Sequence, residues 1–180
     1  MGKKVKILLN TSEITAGTRG SSLGPEAIMT AARDLNDTFF SDYPPFKIKN
    51  ENQFLDFPAK FPYAKRIEGY ALVFDYVMDG MKTVFNNNEF PVLISADHGS
   101  AAATIAAIKE NYAGKRLGVV WIDAHGDLHT PYTTPSGNIH GMPLAIALNE
   151  DNLKYKINEV GPEAKAIWES LQDKGGKGAK

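Results

Sequence analysis

Three short, largely apolar runs punctuate the chain, at residues 5–9, 91–94 and 117–122. Each has the length of a strand buried on both faces and is flanked by polar or turn-forming residues. Between the runs the spacing becomes helical. Pro25 and Glu26 open a segment in which Ala27, Ile28, Ala31, Ala32 and Leu35 recur at helical intervals. Over 67–85, Tyr70, Phe74, Val77, Met81 and Phe85 form one apolar stripe, expected to be core. Residues 100–112 predict a further helix ended by Gly114, and 142–148 and 163–171 predict two more. The stretch 39–62 mixes aromatics and prolines without a clean period and reads as irregular, with 46–48 a candidate strand. Apolar strands alternating with amphipathic helices predict an α/β fold around a buried parallel sheet.

Composition narrows this picture. At 180 residues the chain has the size of one domain. Residues 1–173 read as that domain, and the Gly/Lys-rich stretch 174–180 as a disordered tail. Lys and Arg number 20 against 21 Asp and Glu, for a net charge of −1. That balance offers no attraction to nucleic acid or to an anionic membrane. The absence of cysteine excludes a disulfide scaffold, a thiolate zinc site and a cysteine nucleophile. Near the start, Ile7-Leu8-Leu9 is too short for a signal-peptide core or a membrane span, so a soluble cytoplasmic protein is expected.

The chemistry concentrates in one region. All four histidines, His98, His125, His129 and His140, fall between positions 98 and 140, together with Asp97, Asp123 and Asp127. Asp123-Ala124-His125-Gly126-Asp127 follows the third apolar run, and Asp97-His98 follows the second. Strand ends of a parallel sheet form its ligand-binding edge. In an extended segment, positions i, i+2 and i+4 point the same way. Asp123, His125 and Asp127 are therefore expected to converge beside His98. Carboxylates with imidazole suit a borderline divalent ion such as Mn²⁺, Fe²⁺, Co²⁺ or Zn²⁺.

These residues resemble a known family. Asp123-Ala124-His125-Gly126-Asp127 resembles the D-A-H-x-D signature of the ureohydrolases, which include arginase, agmatinase and formiminoglutamase. Ser95-Ala96-Asp97-His98-Gly99-Ser100 resembles their G-G-D-H-S motif. The stretch from Ser136 to Gly141 resembles an S-G-N-x-H-G segment typical of the arginase branch. The resemblance implies a three-layer α/β/α sandwich with a parallel sheet and a binuclear manganese site. It implies that His98 and Asp127 hold one metal, His125 the other, and that Asp123 bridges them. It further implies hydrolysis of a guanidino group, foremost L-arginine to L-ornithine and urea, by a metal-bridging hydroxide. His140 corresponds to a proton-shuttling histidine, and Ser136 and Asn138 to positions that hold the amino-acid end of the substrate. Thr134 lies at a neighbouring position of the same loop. Agmatine lacks the α-carboxylate that an S-G-N loop would hold, which favours arginine; agmatinase-type and formiminoglutamase-type activities are the alternatives. Homo-oligomers are also implied.

The chain departs from the family pattern in three places. Ser95-Ala96 stands where Gly-Gly is usual, and His129 stands where an asparagine usually helps hold the substrate. The family's later S-x-D-x-D segment, source of the remaining metal-binding aspartates, has no counterpart: Asp151 and Asp173 each lack an aspartate two residues away. The domain is therefore expected to be an incomplete ureohydrolase, poorly active alone, or a non-catalytic fragment that acts through association.

Overall fold

The first apolar run becomes the middle of a sheet. In the computed structural model, which describes Gly2 and residues 4–176, β1 (Val5–Asn10) lies between β2 (Phe46–Ile48) and β3 (Phe90–Ser95). Both pairings are parallel, with Val5 opposite Phe90, Asn10 opposite Ser95 and Leu8 opposite Phe46. The helices are α1 (Gly24–Asp34), α2 (Phe39–Asp42), α3 (Ile67–Asn86), α4 (Ser100–Asn111), α5 (Pro143–Leu148) and α6 (Pro162–Gly176). Pro25 sits in the first turn of α1, where its missing N–H leaves no bond unmade.

The 67–85 stripe forms the core. Tyr70, Phe74, Val77 and Met81 of α3 are almost wholly buried, while Phe85 is only partly so. Leu8 of β1 faces α3, close to Gly80. Pleating then turns Ile7 and Leu9 to the opposite face, and both are buried. There α1 lies against β3, so helices flank both faces of the parallel sheet in three layers, α/β/α. Ala102, Ala103, Ala106 and Ala107 let α4 approach its helical neighbours closely, and all four are buried. Among the described residues, no helix is long and apolar enough to cross a membrane.

The structure corrects the third predicted strand. Residues 117–122 form no strand and pair with nothing in the sheet. Val120 is 87% exposed and Ile122 93%. A strand needs a neighbour whose backbone takes its N–H and C=O groups. The described residues supply β3 with no partner on its outer edge and this segment with none at all. A cleft of about 600 Å³ lies here, lined by Leu93, Ile105, Ile108, Leu117, Val119 and Trp121, among others.

Smaller differences have local causes. Stretch 39–62 holds α2, β2 and a 3₁₀ turn (Asn52–Asp56), more order than its irregular pattern predicts. Asn52 organises that turn, donating from its side chain to the Thr11 carbonyl at 2.9 Å and accepting from the Glu13 N–H at 2.9 Å. The predicted face of α1 is largely open, with Ile28 50% and Leu35 80% exposed. The helix expected over 163–171 runs on to Gly176, so 174–176, read as tail, are helical; Lys174 pairs with Asp75 at 2.6 Å. Positions 177–180 lie outside the described residues.

Candidate metal and substrate site

His98 sits just beyond β3, and Asp123 and Asp127 lie on the loop after the unpaired segment. The side chains meet across the end of the cleft. His98 Nε2 lies 2.9 Å from Asp127 Oδ2 and 3.3 Å from Asp123 Oδ2. One donor atom from each residue falls within 4.8 Å of the others. His98 Nε2 and Asp127 Oδ2 are buried, yet neither has a partner with hydrogen-bond alignment. Buried polar atoms left in this state are costly. A divalent cation satisfies all three donors at once, so this donor set fits one ion.

His125 stands apart. Its side chain is 82% exposed and only Nδ1 comes near the group, 3.5 Å from Asp123 Oδ1. The expected i, i+2, i+4 convergence fails because the segment does not stay extended: Asp127 has φ 46°, in the left-handed region. That strained turn aims the carboxylate back at His98, leaving it 8% exposed. The surroundings hold the turn in place. The Asp127 carbonyl accepts the Leu144 and Ala145 amides at the start of α5, at 3.1 and 3.3 Å. Asp123 accepts the His125 N–H at 2.9 Å. That bond, opposed by burial and aided by His98, holds its carboxyl below the usual range.

Behind His98 lies a set of groups that fixes its turn. Asp97 is 8% exposed and accepts the Thr15 N–H at 3.1 Å and the Gly99 N–H at 3.2 Å. Burial pushes its carboxyl up, against those bonds and the nearby His140. The Ser95 hydroxyl, found where the family usually has glycine, receives Asn10 Nδ2 at 3.0 Å and donates to the Asp97 carbonyl at 2.7 Å. A Cβ on Gly99 would come within 2.5 Å of the Thr15 side chain, so the loop after β1 presses directly on the His98 turn. His140 joins the same loop, donating its N–H to the Thr15 carbonyl at 3.2 Å. Asp97 adjoins a motif histidine in the sequence, but only the fold reveals that it grips Thr15.

A cavity of about 860 Å³ opens beside the metal-ligand group. Its wall includes His125 and Asp127 from the candidate metal loop, and His129, Thr134, Ser136, Asn138 and His140 from the predicted substrate positions. Seven of the expected residues thus share one wall, while His98 and Asp123 lie outside it and meet Asp127 at its metal end. His129 is exposed and touches Thr133 Oγ1 through Nδ1 at 3.2 Å. Gly137 has φ 77°, and a Cβ there would lie 1.9 Å from the Pro62 carbonyl oxygen. Lys65 N–H donates to the Gly137 carbonyl at 2.9 Å, so the Ser136–Asn138 turn is seated on the chain before α3. Asn152 and Tyr155 also line the cavity. Neither stands in a recognisable motif, and no spacing in the sequence points to them.

Comparison with known proteins decides the family. The profile of the Arginase family matches residues 3–167. The chain belongs to the arginase family. The arginase of Bacillus subtilis (strain 168) is 32% identical over 160 residues, covering 82% of this chain and 49% of that relative. The arginase of Brevibacillus brevis is 32% identical over 179 residues, 92% of this chain and 55% of that one. The crystal structure of Entamoeba histolytica arginase, determined with L-ornithine, matches with a TM-score of 0.71 at 25% identity, over 85% of this chain and 52% of that chain. The family chain described here thus spans about half the length of the curated relatives it matches.

Proposed function

We propose that this chain carries the metal-binding loops and part of the substrate wall of an arginase-type hydrolase, converting L-arginine to L-ornithine and urea with manganese. The observation that supports this reading is the meeting of His98, Asp123 and Asp127 beside the cavity wall that holds Ser136, Asn138 and His140. When bound, manganese supplies Lewis acidity and makes water a nucleophile at neutral pH. His98, Asp123 and Asp127 hold the ion, and His125 can add a donor beside Asp123. Ser136 and Asn138 offer a hydroxyl and an amide to the amino-acid end, with Thr134 and His129 on the same wall. The His140 imidazole passes a proton at a ring nitrogen to the departing amine.

A second ion finds only His125 and a shared Asp123 among the described residues. The chain alone is therefore expected to bind about one Mn²⁺ weakly and to release urea slowly. Calorimetric Mn²⁺ titration and urea assay on the purified chain test both statements. Loss of binding in His98→Ala and Asp127→Ala is the expected result. Unchanged Mn²⁺ affinity in both variants would overturn the ligand assignment. Two tightly held ions with ordinary turnover would overturn the weak-binding statement. A role through association is the second reading, favoured by the open β3 edge and the exposed 117–122 run.

A further inference from the structure

His98 differs from an ordinary metal-binding histidine in how its ring is held. Such a ring usually donates its second N–H to a carboxylate or a carbonyl, which fixes its orientation. Among the described residues, no aligned hydrogen bond reaches either ring nitrogen of His98. Apart from its two carboxylate neighbours, the ring meets the Trp121 indole edge-on, with centroids 4.9 Å apart. Trp121 belongs to the run that pairs with nothing in the sheet. The aim of the imidazole therefore depends on the backbone that carries it, the turn from β3 into α4.

That turn is pinned at Gly99, which stands between His98 and the first residue of α4. Its N–H is taken by the Asp97 carboxylate, and its α-carbon rests on the Thr15 side chain. The third tie comes from another element. The Tyr70 hydroxyl, in the first turn of α3, donates to the Gly99 carbonyl at 2.7 Å. Among the described residues, no other hydrogen bond joins α3 to this turn. Tyr70 is 1% exposed, and the Phe74 ring packs edge-on against its ring at 6.0 Å, so packing fixes the direction of the O–H. Phenylalanine would fill the same space without the cost of burying a hydroxyl, so the O–H serves the turn rather than the core. The start of α3 is itself tied down. Arg66 Nε donates to the Phe54 carbonyl at 3.1 Å, within the 3₁₀ turn that Asn52 binds to the loop after β1. Thr15 and Tyr70 thus belong to one anchored frame, and both end on Gly99.

We propose that Tyr70 is a positioning residue for the metal site: its hydroxyl holds the Gly99 carbonyl and, through that turn, aims the His98 imidazole at Asp123 and Asp127. This rests on the arginase-type reading of the site. The hydroxyl lies outside the donor group, so its effect should appear in metal affinity and in the symmetry of the bound ion. Tyr70→Phe deletes the hydroxyl and keeps the ring. Phe74→Leu loosens the same core and keeps the hydroxyl. Both variants and the wild-type chain are titrated with Mn²⁺ at a temperature where circular dichroism shows all three folded. Electron paramagnetic resonance counts the free ion and reports the environment of the bound one. Tyr70→Phe should weaken Mn²⁺ binding about tenfold and alter the bound-ion spectrum. Phe74→Leu should lower the melting temperature and leave affinity and spectrum as in the wild type. Wild-type affinity and spectrum in Tyr70→Phe, or an equal loss of affinity in Phe74→Leu, would overturn the proposal and leave the arginase-type reading standing. A wild-type chain that bound no Mn²⁺ would overturn both.

Discussion

Residues 91–94 and 117–122 are alike in side chains and opposite in fate. The first run lies within β3, laddered to β1 from Val5 against Phe90 to Asn10 against Ser95. The second holds its backbone in no sheet and turns Val120 and Ile122 to solvent. Both runs are as apolar as a buried strand should be. The difference is the neighbour: β1 is there to accept and donate for β3, and nothing in the described chain does so for 117–122. Apolar patterning states what side chains require; pairing is a property of two segments.

Three perturbations sharpen this contrast. The largest effect is expected from Leu8→Ala on the paired side, since Leu8 is fully buried in the middle strand under α3. A loss of about 2–5 kcal/mol in chemical denaturation is expected for such a truncation. A loss far smaller would mean that the sheet is not the centre of the core.

An intermediate effect is expected at Glu13, in the loop after β1. It is 2% exposed, and Oε1 accepts the Gly20 and Ser22 amides, the latter at 2.8 Å. Burial pulls its pKa upward, but those bonds and Arg19 outweigh it, leaving the carboxyl below its ordinary value. A lowered folded-state pKa adds stability above the unfolded chain's carboxylate pKa. That stability fades as the pH falls through the folded value. Glu13→Gln should therefore cost about 1–2 kcal/mol near pH 7, and the gap to wild type should close in urea melts near pH 3. A gap that stays constant with pH would show that the charge is not what organises the loop.

The smallest effect on folding is expected from Val120→Lys on the unpaired side, within about 0.5 kcal/mol of wild type. Its signature should appear instead in light scattering, as reduced self-association, because an exposed apolar run next to an open edge favours pairing between chains. A loss of stability well beyond that margin in this variant would show that 117–122 is paired in solution after all.

Among the described residues, the sequence made α1 and α3 to α6 legible, with β1, β3 and 46–48 as a candidate strand, because apolar patterning reports burial; α2 fell in the stretch read as irregular, and 117–122 forms no strand. His98, Asp123 and Asp127 do come together, although the run before Asp123 pairs with nothing in the sheet. The expected convergence fails at His125, because the left-handed turn at Asp127 breaks the extended geometry on which that reading relied. Asn152 and Tyr155 stayed hidden for another reason, as did the grip of Asp97 on Thr15. Their roles depend on contacts with Thr15, Leu128 and the cavity wall, far away in the chain, and no local spacing records such contacts.

The seat of Gly137 on the Pro62 carbonyl has a consequence for anyone wishing to retune the substrate range. Randomised libraries across the cavity loop can vary positions 136 and 138 freely, but every side chain placed at 137 would drive the loop off its seat. A search for new selectivity in this scaffold should hold that glycine constant, and treat residues 62–65 as part of the same design unit.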